Sequence, residues 1–167
     1  NAVAVGVSAG QSDQGSEAVA VGVGAGDANQ GANAVAIGNA AGKTTQGGSA
    51  VAIGQLAGNN TQGSSAIAIG LLAGRTTQGT LAVAVGYTAG NTSQGGYAIA
   101  IGNLAGQTTQ GSEAVAIGSN AGRFTQGEDS IAIGKEAGYT NQAANSIVLN
   151  ATGAALNNIV EDVFIVK

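Results

Sequence analysis

The stretch "AVAIGNAAGKTTQG" (residues 34–47) recurs along the chain with small changes, for example as "AIAIGLLAGRTTQG" at residues 66–79. The interval between copies is always 16 residues, and no insertion or deletion breaks the register in nine copies. We number each repeat so that its first glycine, such as Gly38, is position 6. A strict short period of this kind indicates a repeat architecture in which each unit stacks on the next.

The residue types within one repeat predict two short strands and two turns. Positions 2 to 5 alternate Ala with Val or Ile, which is the period of two that is typical of a strand. The glycines at positions 6, 10 and 15 argue against a helix, because each would cost about 1 kcal/mol relative to Ala. The segment "TTQG" is typical of a second short strand that runs into a turn. Each repeat is therefore predicted to be strand, turn, strand, turn.

Sixteen residues are too few for a β-α-β crossover but enough for one coil of a solenoid. Successive coils would pair as parallel strands about 4.8 Å apart, so nine coils would span about 43 Å. Position 14 is Gln in every copy, from Gln14 to Gln142. These glutamines are expected to form a ladder of amides along the axis. The sequence thus predicts an all-β, parallel β-solenoid of 16-residue coils.

The alternation in the first strand divides its side chains into two faces. We expect Val and Ile at positions 3 and 5 to fill the interior of the coil. Uniform alanine at positions 2 and 4 would then form a flat apolar patch outside, which monomers rarely leave exposed. We therefore predict a homotrimer whose interface is made by the alanine columns. The predicted interface residues are Ala34, Ala36, Ala50, Ala52, Ala66, Ala68, Ala82, Ala84, Ala98, Ala100, Ala114 and Ala116.

Three segments, "NAVAIG" (33–38), "DSIAIG" (129–134) and "NSIVLN" (145–150), carry a resemblance to a known family. They are similar to the head repeat of trimeric autotransporter adhesins, the YadA-like adhesins. The resemblance implies a left-handed parallel β-roll, with three chains side by side in an elongated surface fibre. The repeat is longer here than in those heads, and in this respect it resembles the shafts of viral and phage-type fibres.

The C-terminal residues break the repeat rules. The segments "NSIVLNATGAALN" (145–157) and "VFIVK" (163–167) resemble the lead-in to a self-cleaving intramolecular chaperone domain. We divide the chain into a β-roll over residues 1–150 and a C-terminal cap, or connection to a further domain, over residues 151–167. The chain opens in mid-pattern at Asn1, which indicates a segment of a longer protein.

Composition removes several classes of function. The chain has no His or Cys, so the usual zinc and copper ligands and the usual nucleophile–histidine pairs are lacking. The net charge is −4 and the five basic residues are scattered, which argues against a nucleic-acid partner. The apolar runs are too short for membrane insertion. No catalytic residue, cofactor or metal site is predicted, and the paired carboxylates Glu128 and Asp129 are interpreted as solvated turn charges.

We therefore predict a structural fibre or adhesin segment, not an enzyme, which would be extracellular on a virion or a bacterial surface. Its partners would be copies of itself and a host-surface protein or glycan, with Tyr87 and Tyr97 as candidate ligand-binding residues. One alternative is an ice-binding β-solenoid, although adjacent Thr residues should face opposite sides of a strand and offer only one column. A second alternative is a glycan-degrading tailspike, for which no carboxylate pair in a cleft stands out.

Overall fold

A computed structural model describes all 167 residues and shows a parallel β-solenoid that contains no helix. Positions 3 to 5 of each coil form the first strand, and these strands stack into one long sheet, sheet A. Positions 13 and 14, with position 12 in the first two coils, form the second strand, and these strands stack into sheet B. The predicted all-β solenoid with its order of strand, turn, strand, turn is confirmed.

Both sheets follow the chain order. Sheet A consists of β1 (Val3–Val5), β3 (Val19–Val21), β5 (Val35–Ile37), β7 (Val51–Ile53), β9 (Ile67–Ile69), β11 (Val83–Val85), β13 (Ile99–Ile101), β15 (Val115–Ile117), β17 (Ile131–Ile133), β18 (Ile147–Leu149) and β19 (Phe164–Val166). Sheet B consists of β2 (Ser12–Gln14), β4 (Ala28–Gln30), β6 (Thr45–Gln46), β8 (Thr61–Gln62), β10 (Thr77–Gln78), β12 (Ser93–Gln94), β14 (Thr109–Gln110) and β16 (Thr125–Gln126). Equivalent positions of successive coils lie in register, as Ile67, Val83 and Ile99 do.

The glycine at position 6 lets successive coils approach closely. Gly70 has φ +127°, and a Cβ on it would lie 2.5 Å from the carbonyl oxygen of Gly86 in the next coil. Such a contact is impossible without a backbone shift, so a side chain at position 6 would separate the coils. The turns that follow the strands of sheet A are also hydrogen-bonded from coil to coil. The Leu72 amide, for example, donates to the Gln55 carbonyl of the preceding coil at 3.0 Å.

The interior of the solenoid is made of small side chains, and this corrects the predicted assignment of the two faces. From the second coil onward, alanines at positions 2, 4 and 9 have no exposed surface, and those at positions 4 and 9 form the hydrophobic core. All of the alanines predicted to form a trimer interface lie inside the single chain: Ala34, Ala36, Ala50, Ala52, Ala66, Ala68, Ala82, Ala84, Ala98, Ala100, Ala114 and Ala116. Their assignment to a subunit interface was wrong. Val and Ile at positions 3 and 5 point outward instead.

The glutamine at position 14 explains why the interior has no room for larger side chains. Gln78 is 1% exposed and crosses from sheet B to sheet A, where its amide donates to the carbonyl of Ile67 at 2.7 Å. A second contact, at 3.2 Å, reaches the carbonyl of Ala82 in the next coil. Five neighbouring glutamine pairs are also bonded to each other, which confirms much of the predicted ladder. The long amide side chains occupy the space, so only methyl groups fit opposite them.

In the last regular coil, the alanine at position 4 and the glutamine at position 14 are both replaced. Val148 replaces alanine at position 4 and is fully buried, while Asn158 takes the place of glutamine and is 4% exposed. The larger apolar residue thus faces an amide that is shorter by one methylene group. The chain then adds β19, which pairs with β18 but lies 17 residues after it, with Phe164 opposite Ile147.

The predicted cap over the C-terminal end stays a prediction. Leu156 packs against the core and lies beside Ala137 in a parallel bridge. Ile159, Val160 and Phe164 are 77%, 59% and 62% exposed, so most of the apolar side chains of residues 151–167 face solvent in the single chain.

Candidate functional site: the apolar face and its flanks

The outer surface of sheet A is a continuous band of branched aliphatic side chains, which we call the apolar face. It contains positions 3 and 5 of every coil, and its side chains are partly or well exposed; Ile69, for example, is 37% exposed. Its members are Val3, Val5, Val19, Val21, Val35, Ile37, Val51, Ile53, Ile67, Ile69, Val83, Val85, Ile99, Ile101, Val115, Ile117, Ile131, Ile133, Ile147 and Leu149. The single surface pocket lies at the C-terminal end of this face, against Ile133, Leu149 and Val166.

Exposed large apolar side chains are concentrated on this side of the solenoid. Within residues 1–150 every such side chain lies on the apolar face or at the turns beside it, with the single exception of Phe124. The opposite surface, formed by positions 12 and 13 on sheet B, carries mostly Thr, Ser and Asn, and we call it the polar face. A soluble monomer rarely exposes a contiguous apolar patch of this length. The two surfaces of the solenoid therefore differ in polarity, and the outer surface of sheet A is the apolar one.

Two rows of side chains border the apolar face. The entry flank is position 1, just before each strand of sheet A, and the exit flank is positions 7 and 8, just after it. Tyr97 is on the entry flank and Tyr87 is on the exit flank, and they are 61% and 49% exposed. The strands of sheet A lie between them. The structure therefore does not bring these two candidate ligand-binding residues together in one aromatic patch.

The polar face presents two columns of hydroxyl side chains, not one. Thr44 and Thr45 are both exposed, as are Thr92 and Ser93. The expectation that adjacent Thr residues would face opposite sides was wrong, because position 12 lies in a bend before the strand in most coils. Only the glutamine at position 14 turns inward. Glu128 and Asp129 lie exposed in the turn that leads back to sheet A, where the sequence placed them.

A small cluster at the edge of the polar face, made mainly by position 11, was not found from the sequence. The Arg123 guanidinium lies 4.8 Å from the ring centre of Phe124 and 5.7 Å from that of Tyr139. It also donates to Gln107 Oε1 at 3.0 Å and to the Tyr139 hydroxyl at 3.1 Å. The two rings meet edge to face at 5.3 Å. The signal was available, since a spacing of 16 residues places 107, 123 and 139 in one column.

The chain matches no protein-family model, no curated protein and no solved structure. The resemblance to adhesin heads and fibre shafts therefore depends on the short motifs alone. No helix in the structure could cross a lipid bilayer. No three His, Cys, Asp or Glu side chains come together as a metal site would require.

Proposed function

We propose that this chain is a structural segment of a trimeric surface fibre or adhesin, in which three copies pack side by side as a left-handed parallel roll. The proposal places the fibre outside the cell, on a bacterial surface or a virion. The single observation that carries it is the exposed apolar face, which runs without interruption from β1 to β18. The number of copies in the assembly, three, is taken from the resemblance of the short motifs to trimeric adhesins.

Physical chemistry favours a lateral partner for this face. Burial of apolar surface contributes about 25 cal/mol per Å², and a valine or isoleucine gains about 1.5–3 kcal/mol when fully buried. The band repeats two such side chains in every coil, so the gain grows with the length of the solenoid. A surface of identical coils is also suited to packing around a symmetry axis, because every level presents the same contact.

The architecture supports a mechanical role. The single chain makes 113 backbone hydrogen bonds, many of which run from one coil to the next at the turns as well as in the sheets. Each coil therefore stiffens its neighbours, and few backbone groups are left for proteases or for competing partners. A spacer or attachment rod needs these properties and needs no reacting group.

Sedimentation equilibrium with a matched pair of variants tests the proposal. The unmodified chain should have about three times the monomer mass of 15.8 kDa. Ile69→Glu places a charge on the apolar face and should dissociate the assembly, because an unpaired buried charge is costly. Thr77→Glu places the same charge in the same coil on the polar face and should leave the mass unchanged. A monomeric unmodified chain, or equal effects of the two variants, would contradict the proposal.

A second candidate, an ice-binding solenoid, is favoured by one observation. Both Thr columns of the polar face are solvent-facing. The repeat of the coils places their hydroxyl and methyl groups in rows at regular intervals. Ala28, Asn60 and Phe124 interrupt the rows at position 12. Thermal hysteresis of the unmodified chain, and its loss in Thr77→Lys, would support this function. An unmodified chain that causes no thermal hysteresis would contradict the ice-binding function.

A further inference from the structure

A row of basic side chains follows one edge of the polar face. Three of the five basic residues, Lys43, Arg75 and Arg123, occupy position 11 of their coils, although they lie far apart in the sequence. At about 4.8 Å per coil, Lys43 is about 10 Å from Arg75 along the axis, and Arg75 is about 14 Å from Arg123. We call these three residues the basic row. The solenoid therefore places most of the basic residues of the chain on one edge.

Few negative charges lie near the basic row. No Asp or Glu occurs in residues 28–112, so Lys43 and Arg75 belong to a stretch without carboxylates. Asp27, one coil before Lys43, is the single acidic residue at position 11, and Glu136 lies at position 8 of the ninth coil. The net charge of −4 therefore arises towards the two ends of the chain, and the middle of this edge is positive.

The levels between the basic side chains are recessed. Asn59 and Asn91 alternate with Lys43 and Arg75 in the same column, and each donates its side-chain amide to a carbonyl of the preceding coil, at 2.7 and 2.8 Å. Asn59 is 8% exposed, whereas Lys43 and Arg75 are exposed. The basic side chains therefore project from the edge at intervals, with space for a ligand between them.

Arg123, at the C-terminal end of the basic row, is held in one orientation. Its guanidinium donates to Gln107 and to the Tyr139 hydroxyl, and it lies against the rings of Phe124 and Tyr139. An arginine has five N–H donors, so these two bonds leave three for a ligand. A planar guanidinium with neighbouring free donors matches a carboxylate in a bidentate pair. Phe124, the one large apolar side chain exposed on the polar face, provides a ring beside it on which a sugar can stack.

We propose that the basic row binds an acidic polysaccharide that lies along the solenoid axis and carries carboxylates on alternate sugars. The spacing of the charges favours this ligand over a nucleic acid. Each strand of duplex DNA carries a phosphate about every 3.4 Å, whereas the basic side chains are about 10 and 14 Å apart. A polysaccharide whose carboxylates are separated by neutral sugars has sparse charges of this kind. Its neutral sugars would meet the exposed hydroxyl groups of the polar face, such as those of Thr44 and Thr45.

Isothermal titration calorimetry with a hyaluronan hexasaccharide tests this inference. This acidic probe alternates glucuronic acid with N-acetylglucosamine, and a chitin hexasaccharide, which has no carboxylate, is the neutral probe. Low ionic strength is used because salt screens exposed charges. The unmodified chain should bind the acidic probe and should bind the neutral probe several-fold more weakly.

Two double variants of equal net charge distinguish the basic row from general electrostatic attraction. Lys43→Gln/Arg75→Gln removes two members of the row, and Lys135→Gln/Lys167→Gln removes two lysines outside it. Glutamine is compatible with position 11, which Gln107 occupies in the seventh coil. A surface ion pair contributes up to about five-fold in affinity, so the first variant should bind the acidic probe about ten-fold more weakly. The second variant should bind it as the unmodified chain does.

Two single variants test the C-terminal end of the row. Arg123→Lys keeps the positive charge but removes the planar donor pair, and Phe124→Thr replaces the ring by the residue that is usual at position 12. Both should bind the acidic probe several-fold more weakly, because the bidentate contact and the stacking surface are lost. Unchanged affinity in both variants would overturn the inference.

The outcomes separate this inference from the proposed function, which it does not require. Absence of binding to the acidic probe, equal losses in the two double variants, or tighter binding of single-stranded oligothymidine would overturn it and leave the fibre proposal as it stands. A monomeric chain that binds the acidic probe with the expected losses would support this inference and contradict the fibre proposal.

Discussion

Substitution of Ala68 by leucine tests directly which face of sheet A lies in the interior of the solenoid. Ala68 has no exposed surface, and a methyl group added to Gly74 would already lie 3.2 Å from its Cβ. Three further carbon atoms therefore force the strand away from sheet B. Overpacking of this kind costs about 1–3 kcal/mol. The displacement also reaches Ala52 and Ala84, which pair with Ala68 in the adjacent coils.

Urea unfolding followed by far-ultraviolet circular dichroism measures this cost. With a denaturant dependence of about 2 kcal/mol per M, a loss of about 2 kcal/mol lowers the midpoint by about 1 M. Thr77→Leu in the same coil is the matched control, since its side chain is exposed on the polar face. Exposed substitutions usually change the free energy of unfolding by no more than about 0.5 kcal/mol. Protein concentration must be equal in all samples, because assembly shifts the apparent stability.

The result that refutes this reasoning is specific. If Ala68→Leu unfolds at an unchanged urea concentration but sediments with a different mass, the alanine column faces outward and the assigned interior is wrong.

Three further substitutions test other contacts. Gln78→Leu leaves the Ile67 carbonyl without its amide donor and should lower the free energy of urea unfolding by about 1–3 kcal/mol; an unchanged midpoint would show that the ladder contributes nothing. Gly70→Ala should destabilise far more than Gly24→Ala, because a Cβ at Gly70 meets backbone at 2.5 Å and one at Gly24 meets nothing within 4 Å; equal midpoints would contradict the close approach of the coils. Thr88→Asn should raise the midpoint, by about 1 kcal/mol in free energy, because a β-branched residue at φ +50° is strained; a lower midpoint would show that the Thr88 side chain has an unrecognised partner.

The solenoid itself could be predicted because its signals are local and repeated. The alternation at positions 2 to 5 and the glycine spacing appear in every copy, so a weak preference in one coil becomes strong over the whole chain. A fixed period without insertions then places equivalent residues in register, as the ladder between Gln46 and Gln30 shows.

The two faces of sheet A could not be assigned from alternation alone. A period of two shows which side chains share a face, and it does not show which face is inside. Residue size suggested Ile69 for the interior, but the space there depends on what the other sheet contributes. Gln78 reaches across and fills it, so Ala68 is the residue that fits. A long polar residue repeated at one position, on a coil with few large apolar partners, was the signal that pointed to this arrangement.

The flanks could not be predicted for a different reason. In the sequence, Leu81 and Tyr97 look like ordinary variation of surface residues. Leu and Tyr are not typical of the left-handed region, so nothing in the sequence indicates that the backbone has positive φ at these positions. Their exposure and their positive φ become visible only when the turns are seen in three dimensions.

Contacts between the methyl groups of different copies test the central claim most directly. Most isoleucines lie on the apolar face, as Ile69 does, whereas most threonines lie on the polar face, as Thr77 does. In a co-refolded mixture, some chains would carry labelled isoleucine methyls and the others labelled valine or labelled threonine methyls. The account predicts nuclear Overhauser effects between isoleucine and valine methyls of different chains, and none between isoleucine and the threonine methyls of the polar face. Absence of the isoleucine–valine effects, or effects at Thr77 in their place, would contradict it.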